Sequence, residues 1–569
     1  MVQLLFKGGD IVGKIKNYPI VVDLEDSTFV VETSAGTRKL EFQQIKEHLQ
    51  KIINEGGMDG IKSTADKAMQ TASEASNAAN NAVDLIKDVI QKNIANAYIK
   101  DRHLYIVLTD ETTIDAGVVE PQAEYGICYD TNTKNPKLTR VGAAVGLVAG
   151  IGSDTDGNVV NDFDSIYPWC DIKRCTLAAN GTVTSYKGDA NYIEDGSIGD
   201  VMVEIPKFYI KRVVEKSTGF VYRYICKEKL NGYHTPQAFL DANGNEIDKI
   251  YIAAYSVIDE QDEKLCSCAG ALYDYIRYMK FSELLEELNT KGSNWFSLDV
   301  AAMEVLQTLF MVEFATLNSR SVFDMSNYAV TDYKVDSSCV GNTTNTITVT
   351  GNFENRFVVG RSMVLVYIGA NGSQTRVITN VEQGDNVTHV TFNGDPFLIT
   401  EKTTFYEESP ASGCCNEVIT SSGYLSGYPK GGRPWGWRGI EMLWGLDTVH
   451  IGGVVSKGKA LYVTTDANAD LSSIKSQDDL DADERLHKLS YSLPDNGYIS
   501  ELGFDQNYPW AAFPISTAAT SQDGFCDELT STGLITAVKE YSIATGLFEY
   551  NMHNRTNQCS CRFAYRKYS

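Results

Sequence analysis

The sequence predicts an α+β protein of several domains, in which an α-helical coiled-coil stalk separates a small N-terminal β unit from a larger mixed head. Three observations favour this class. An alanine-rich segment repeats with heptad spacing, short alternating apolar runs occur on both sides of it, and two helical apolar stripes lie in the C-terminal part. A chain of 569 residues is long enough for roughly three to five domains.

Residues 1–56 predict a small module made mostly of strands. The apolar runs at 11–12, 20–22 and 29–31 are short, and Gly13, Asn-Tyr-Pro at 17–19 and Ser-Ala-Gly at 34–36 interrupt the segment, as turns between strands require. A module in this position suits anchoring to a larger assembly, although an ordinary N-terminal domain would have the same pattern.

Residues 57–96 predict the coiled-coil stalk. Their apolar residues follow one another at alternating spacings of three and four, and neither glycine nor proline occurs from 61 to 93. An alanine stripe buries little apolar surface, so we expect this helix to need copies of itself for stability. The residues expected at the oligomer interface are Ala65, Ala68, Ala72, Ala75, Ala79, Ala82, Ile86 and Val89. The alternative is an amphipathic helix lying on a globular core, which would need larger side chains.

Residues 97–150 predict a β connector. Leu104, Ile106 and Leu108 alternate with other residues ahead of a turn at 115–117, which is the pattern of a strand. Weaker strand signals follow as far as residue 150.

Residues 151–327 and 409–569 predict the two parts of one mixed head. Two stripes at helical spacing predict core-facing helices, and their members are Phe281, Leu284, Leu285 and Leu288, then Met303, Leu306, Phe310 and Phe314. Residues 328–408 instead contain short strands at even spacing with turn residues between them. This segment predicts an inserted β-sandwich or barrel.

Composition argues against several classes of function. The net charge is -24 and no basic stripe occurs, which argues against nucleic-acid binding. No run of about eighteen apolar residues predicts a membrane span. The first ten residues lack the long apolar stretch of a secretory signal, so we expect synthesis and folding in a cytoplasm.

The cysteines and aspartates predict no bound cofactor. The twelve cysteines include C-x-C pairs at 266/268 and 559/561 and the adjacent pair 414/415, but none has the spacing of a zinc site. We therefore expect buried free thiols, while a catalytic cysteine stays open. Asp154, Asp156 and Asp162 resemble a calcium loop. An EF-hand would need glycine and glutamate where Val159 and Ser165 stand, so an acidic turn is favoured over calcium.

Two stretches resemble known families. The segment 97–117 resembles a connector common in phage tail-fibre proteins. The series Phe163–Trp169, Met202–Tyr209 and Ile250–Tyr255 resembles the head of phage tail-tip and tail-fibre proteins with a C-type-lectin-like fold. The formylglycine-generating-enzyme family and the variable proteins of diversity-generating retroelements share that fold. In this chain, His-Thr-Pro at 234–236 replaces the family's His-Pro. The resemblance spans residues 150–320 and 420–569.

The resemblance implies a ligand surface on the loops around the final strands. The matching residues are Tyr550, Asn551, His553, Asn554, Arg555, Asn557 and Gln558. Tyrosine, asparagine and arginine give adaptable contacts to sugars or proteins. Trp435 and Trp437 could stack on sugar faces, although a Trp-Gly-Trp in this family is as often core packing.

The resemblance also implies a function. We expect a receptor-binding protein of a tail fibre or baseplate, resident in the virion, that attaches to a host-surface glycan or protein. The expected partners are other virion proteins and copies of the chain itself, as a homotrimer, without nucleic acid or membrane insertion. No enzymatic activity is expected. The alternatives are a glycan-cleaving or formylglycine-generating-type enzyme on the same scaffold, and a purely structural baseplate component.

Overall fold

The computed structural model describes the chain in segments. They are residues 2–7, 10–15, 18–23, 28–33, 36–40, 94–100, 103–108, 111–118, 123–133, 136–256, 265–270, 279–323, 333–353, 356–368, 372–407, 410–428, 432–445, 449–469, 471, 474, 476–495, 497–518, 524–525, 535–539, 546–548, 551–554 and 561–567. Two compact units result, Met1–Ala123 and Glu124–Ser569, which are called unit 1 and unit 2 below.

The predicted α+β class with a helical stalk is wrong, because strands dominate the described residues. These residues form 38 strands but only three α-helices, α1 (Phe281–Lys291), α2 (Val300–Phe314) and α3 (Gln477–Ala482). The last residues of the predicted stalk, from Ile94, belong to a strand. Tyrosine and isoleucine enter the sequence there, and such residues favour strands over helices. The eight expected interface residues, Ala65 to Val89, fall outside the described residues.

Unit 1 contains one antiparallel sheet of eight strands. Its strands are β1 (Val2–Lys7), β2 (Asp10–Ile15), β3 (Tyr18–Asp23), β4 (Thr28–Thr33), β5 (Gly36–Leu40), β6 (Ile94–Lys100), β7 (His103–Leu108) and β8 (Thr113–Val118). The order across the sheet is β5-β4-β3-β2-β1-β6-β7-β8. Because β1 pairs with β6, strands from the predicted N-terminal module and from the predicted connector share one sheet.

The central sheet of unit 2 has six antiparallel strands. They are β12 (Lys173–Leu177), β13 (Val183–Tyr186), β14 (Asp200–Pro206), β17 (Lys249–Ala253), β18 (Trp295–Ser297) and β38 (Phe563–Tyr565), in the order β13-β12-β14-β17-β38-β18. Six of the seven residues of β14 are buried, as expected for a strand covered on both faces. The late strand β38 lies between two much earlier strands, so distant parts of the chain complete this sheet.

Helix α1 packs against β18 of this sheet. The predicted apolar stripes of α1 and α2 are buried except for Phe314, which is half-buried. In α1, the residues Phe281, Leu284, Leu285 and Leu288 are buried. In α2, every residue from Val300 to Glu313 is buried, which is typical of a helix surrounded by core on all sides. Beside α2 lies a four-stranded sheet of β9 (Tyr125–Asp130), β10 (Thr139–Gly142), β15 (Tyr209–Glu215) and β16 (Phe220–Cys226).

Three smaller sheets complete the head. One has β11 (Gly152–Ser153), β27 (Ser422–Tyr424), β28 (Trp435–Trp437) and β29 (Ile440–Glu441). The second has β30 (Val449–Lys457), β31 (Ala460–Val463), β32 (His487–Ser492), β36 (Ile535–Lys539) and β37 (Asn551–Asn554). The third has β33 (Gly497–Leu502), β34 (Pro514–Ala518) and β35 (Gly524–Phe525).

The segment predicted as an insert consists of strands in the described residues. They are β19 (Tyr333–Lys334), β20 (Thr343–Thr344), β21 (Thr346–Thr350), β22 (Ser362–Ile368), β23 (Gly372–Gln383), β24 (Val387–Phe392), β25 (Phe397–Leu398) and β26 (Thr404–Glu407). These strands form a sheet of six and a pair, and they bury a hydrophobic cluster of their own that includes Leu365, Phe392 and Phe405.

Within the described part of the chain, no helix has the length and apolar character needed to cross a membrane.

Candidate functional site

An open cleft in unit 2 brings three distant stretches of the chain together. Its volume is about 290 Å³, and its walls come from residues 164–187, from the turn at 415–421 and from strand β28 with the turn after it. The side chains that give it polar character include Asp164, Trp169, Arg174, Lys187, Ser421 and Arg438. Both parts of the head therefore contribute to this cleft.

Arg174 holds one wall of the cleft together. Its Nε and Nη2 donate to the carbonyl oxygen of Gly439 at 3.0 and 2.6 Å, and its Nη1 donates to Tyr255 Oη at 3.0 Å and to Glu194 Oε1 at 3.2 Å. Burial would raise the pKa of Glu194, but Arg174 and three donor side chains hold it below its ordinary value. The buried guanidinium is thus fully engaged in holding the scaffold.

Arg438 forms a second buried ion pair at the cleft. Its Nη2 donates to Glu313 Oε1 at 2.6 Å and its Nη1 to Asp164 Oδ1 at 2.6 Å. Trp437 Nε1 donates to the other oxygen of Glu313 at 2.9 Å. Because Glu313 is fully buried, its negative charge needs these partners to offset the loss of contact with water. The ion pair joins α2 to strand β28 and fixes the rim of the cleft.

Two donors at the cleft have no protein partner among the described residues. Trp169 is 1% exposed, and its Nε1 forms no hydrogen bond. Lys187 is exposed, and its ammonium group forms no ion pair or hydrogen bond with the described residues. Desolvation and the like charge of Arg174 lower the pKa of Lys187. A ligand with hydrogen-bond acceptors or negative charge would satisfy both donors.

A group of two thiols and one carboxylate borders the same cleft. Cys414 Sγ and Cys415 Sγ are 3.9 Å apart. The carboxylate of Glu441 accepts hydrogen bonds from the backbone nitrogens of Gly413 at 3.0 Å and Cys415 at 2.8 Å. Burial raises the pKa of the Cys415 thiol, and the neighbouring thiol and carboxylate raise it further. The ten described cysteines are free thiols; six are buried, as predicted, and four are partly or fully exposed.

The two tryptophans predicted to contact ligand lie in the core. Trp435 and Trp437 are each 1% exposed. The Trp435 ring stacks on Phe323 with the ring centroids 4.6 Å apart, and it packs on Trp444 at 4.1 Å. Their faces are covered by protein, so the core-packing alternative describes these two side chains. Alternating strand residues place both of them on the buried face of β28.

The other predicted ligand residues lie near β37. Asn551, His553 and Asn554 belong to that strand, whose backbone pairs with β36, while their side chains fall outside the described part. Tyr550, Arg555, Asn557 and Gln558 also fall outside the described residues. Their contact with a ligand stays a prediction.

The three aspartates considered for calcium each have a separate partner. Asp154 accepts from the backbone nitrogen and hydroxyl of Ser426 at 2.7 Å, Asp156 from the nitrogen of Asn158, and Asp162 from the nitrogen of Val148. Of these contacts, that of Asp156 to the nitrogen two residues later is the local pattern of an acidic turn.

Sequence reasoning missed most residues of the cleft. Arg174, Glu194, Glu313 and Arg438 carry no motif, and their partners lie far apart in the chain. The adjacent pair Cys414-Cys415 was visible, but its carboxylate partner was not. Composition could have pointed to the tryptophan-rich strand and to the thiols. It could not have identified the charged residues that contact them.

The chain has no match among protein-family models, and no characterised protein shows significant sequence similarity to it. The cleft is therefore interpreted from its own geometry.

Proposed function

We propose that the protein is a receptor-binding protein of a bacteriophage tail fibre or baseplate, and that unit 2 binds a glycan or protein on the host surface. One observation carries the proposal beyond the sequence resemblance. Strands β14 and β17 come from two separate segments of the resembling series, and β38 comes from the second resembling stretch, 420–569; the three are neighbours in the central sheet. Segments that share one sheet form one scaffold, which supports treating the series as a single head.

The cleft is the proposed ligand site on this head. It offers the donors of Trp169 and Lys187, which have no partner among the described residues. Donors of this kind suit a ligand rich in oxygen acceptors, such as an acidic glycan. The carboxylate that lines the cleft, Asp164, accepts from Arg438 and Ser421, so it is held as part of the scaffold. Binding is therefore favoured over acid-base catalysis.

Attachment through several copies is part of the proposal. A homotrimer that also contacts other tail proteins would present several clefts to one host cell. Weak individual contacts would then add up to firm adsorption, because the second contact is effectively intramolecular. Light scattering on the full chain measures the number of copies, and a monomer at all concentrations would contradict the proposed homotrimer.

Adsorption of the full chain to a panel of bacterial strains and to an array of bacterial surface glycans tests the function. We expect selective binding, weakened about tenfold or more by Lys187→Glu because the added charge opposes acceptor groups. Lys216→Ala, at another exposed lysine of unit 2, is the matched control and should bind normally.

The outcomes separate the alternatives. Binding that is unaffected by Lys187→Glu would move the ligand site away from the cleft. A chain that binds no strain and no glycan would contradict the receptor-binding function. Release of sugar fragments from a bound surface would favour the enzyme alternative.

A further inference from the structure

Cys414 and Cys415 point to the same side although they are adjacent in sequence. Neighbouring residues of an extended strand point to opposite faces, but these two begin a 3-10 turn, Cys414–Glu417. Gly413 precedes the turn with a φ of 83°, and a Cβ there would lie 2.7 Å from the Cβ of Ala269. Only glycine fits both conditions. The turn is therefore built to bring the two sulfurs within 3.9 Å of each other.

Glu441 supplies a third donor atom from strand β29. The two sulfurs and a carboxylate oxygen all lie within 4.8 Å of one another. The backbone nitrogens of Gly413 and Cys415 hold the carboxylate in place, and Arg562 Nη2 fixes the Glu441 carbonyl at 2.9 Å. Hydrogen bonds that orient a ligating carboxylate are typical of metal sites.

The distances suit a tetrahedral ion. Two thiolates about 2.3 Å from a zinc ion lie about 3.8 Å apart across a tetrahedral angle, and the sulfurs here are 3.9 Å apart. The two sulfurs would therefore need little movement on binding. Sulfur ligands exclude calcium and magnesium, which prefer oxygen, and select thiophilic ions such as zinc.

We propose that Cys414, Cys415 and Glu441 bind a thiophilic divalent cation, for which Zn²⁺ is the reference. On binding, the two thiols each lose a proton to solvent and form metal–sulfur bonds, while the carboxylate donates a lone pair. No electron is transferred. Three protein ligands leave one position for water or another ligand. Cys415 also lines the cleft, which gives the ion a path from solvent. This site is independent of the proposed receptor binding.

Metal titration of the reduced full chain tests the proposal. We expect one Zn²⁺ to bind and about two protons to be released per ion. Substitution by Co²⁺ should give intense visible bands of a tetrahedral site and a near-ultraviolet sulfur-to-cobalt band. Cys415→Ser, Cys414→Ser and Glu441→Gln should each weaken binding about tenfold or more.

Two variants serve as matched controls. Cys339→Ser removes a buried thiol from the insert, and Cys170→Ser removes an exposed thiol that lines the same cleft. Both should bind Zn²⁺ like the unmodified chain. Circular dichroism checks that each variant is folded.

Three results would overturn the proposal. One is a Co²⁺ spectrum of the unmodified chain that lacks a sulfur-to-cobalt band, which is independent of any variant. Another is unchanged affinity in Cys415→Ser. The third is loss of binding in Cys266→Ser but not in the cluster variants, which would place the ion at the C-x-C pair instead.

Discussion

Glu304 is a carboxyl group inside the otherwise apolar α2, and only 2% of it is exposed. Its Oε2 has no hydrogen-bond partner among the described residues. Burial raises the pKa of Glu304 to about 7, although Arg223 and Arg212 on the neighbouring sheet oppose the shift. The group therefore binds a proton in the folded state at a pH where the unfolded chain has released it.

The contribution of Glu304 to the stability of unit 2 should consequently fall as the pH rises from about 4.5 to about 7. Between these values the native state holds the proton more tightly than the unfolded state, so ionisation weakens the fold. Glu304→Gln should remove this pH-dependent part of the free energy of unfolding, which is on the order of 3 kcal/mol between these two pH values. Urea unfolding at a series of pH values measures it. His234 and His450 contribute in the opposite direction, because burial lowers the pKa of each to about 4.

Glu286→Gln, at an exposed position of α1, is the control and should keep the pH dependence of the unmodified chain. The prediction fails if Glu304→Gln and the control have parallel stability curves.

At the scale of elements, Asp299 connects α2 to the final strands of the head. It caps the helix by accepting from the backbone nitrogen of Ala302 at 2.8 Å. Both of its oxygens also accept from Arg566 Nη2, at 2.6 and 2.7 Å, and Arg566 is 1% exposed. One carboxylate thus satisfies a helix end and a buried cation.

Asp299→Ala should destabilise unit 2 by about 3–5 kcal/mol, because it removes the carboxylate that balances the buried charge of Arg566. Ser476→Ala removes only a cap, since Ser476 accepts from the nitrogen of Asp479 at the start of the exposed helix α3. That change should cost about 1 kcal/mol. Thermal unfolding compares the two, and equal losses would show that the ion pair contributes little.

The elements also show which features the sequence could predict. The stripe of α1 was predicted residue by residue, because helical spacing is local. The pairing of β1 with β6 could not be, since 53 residues stand between β5 and β6. The predicted fold class relied too heavily on the heptad pattern of the alanines, because that pattern is local whereas the pairing of distant strands is not. In the site, Cys415 meets Glu441 and Arg438 meets Glu313 only after folding, so composition could flag the thiols but not their partners.

At the scale of the whole molecule, unit 2 is closed by its late residues. Strand β38 pairs with β17 on one side and with β18 on the other. The buried Arg562 beside it donates to the carbonyl oxygen of Ala253 at 2.6 Å. Residues 561–566 therefore complete both the central sheet and the core around it.

A chain that ends at residue 560 should lose the cooperative unfolding of unit 2 and become sensitive to protease, because β18 would have no strand partner. A chain that ends at Arg566 retains β38 and should resemble the full chain. Limited proteolysis with circular dichroism measures both. Equal resistance of the two chains would show that β38 is dispensable.

The central position of β38 also sets the timing of biosynthesis. At ~5–20 residues per second, the roughly 300 residues between β17 and β38 take on the order of 15–60 s to be translated. During that interval the edge of β17 that later pairs with β38 is open, and an open edge invites pairing with other nascent chains. Ribosomes that stall before β38 would release products with this edge uncovered. Synthesis rate and chaperone supply should therefore govern how much of the protein reaches its folded state.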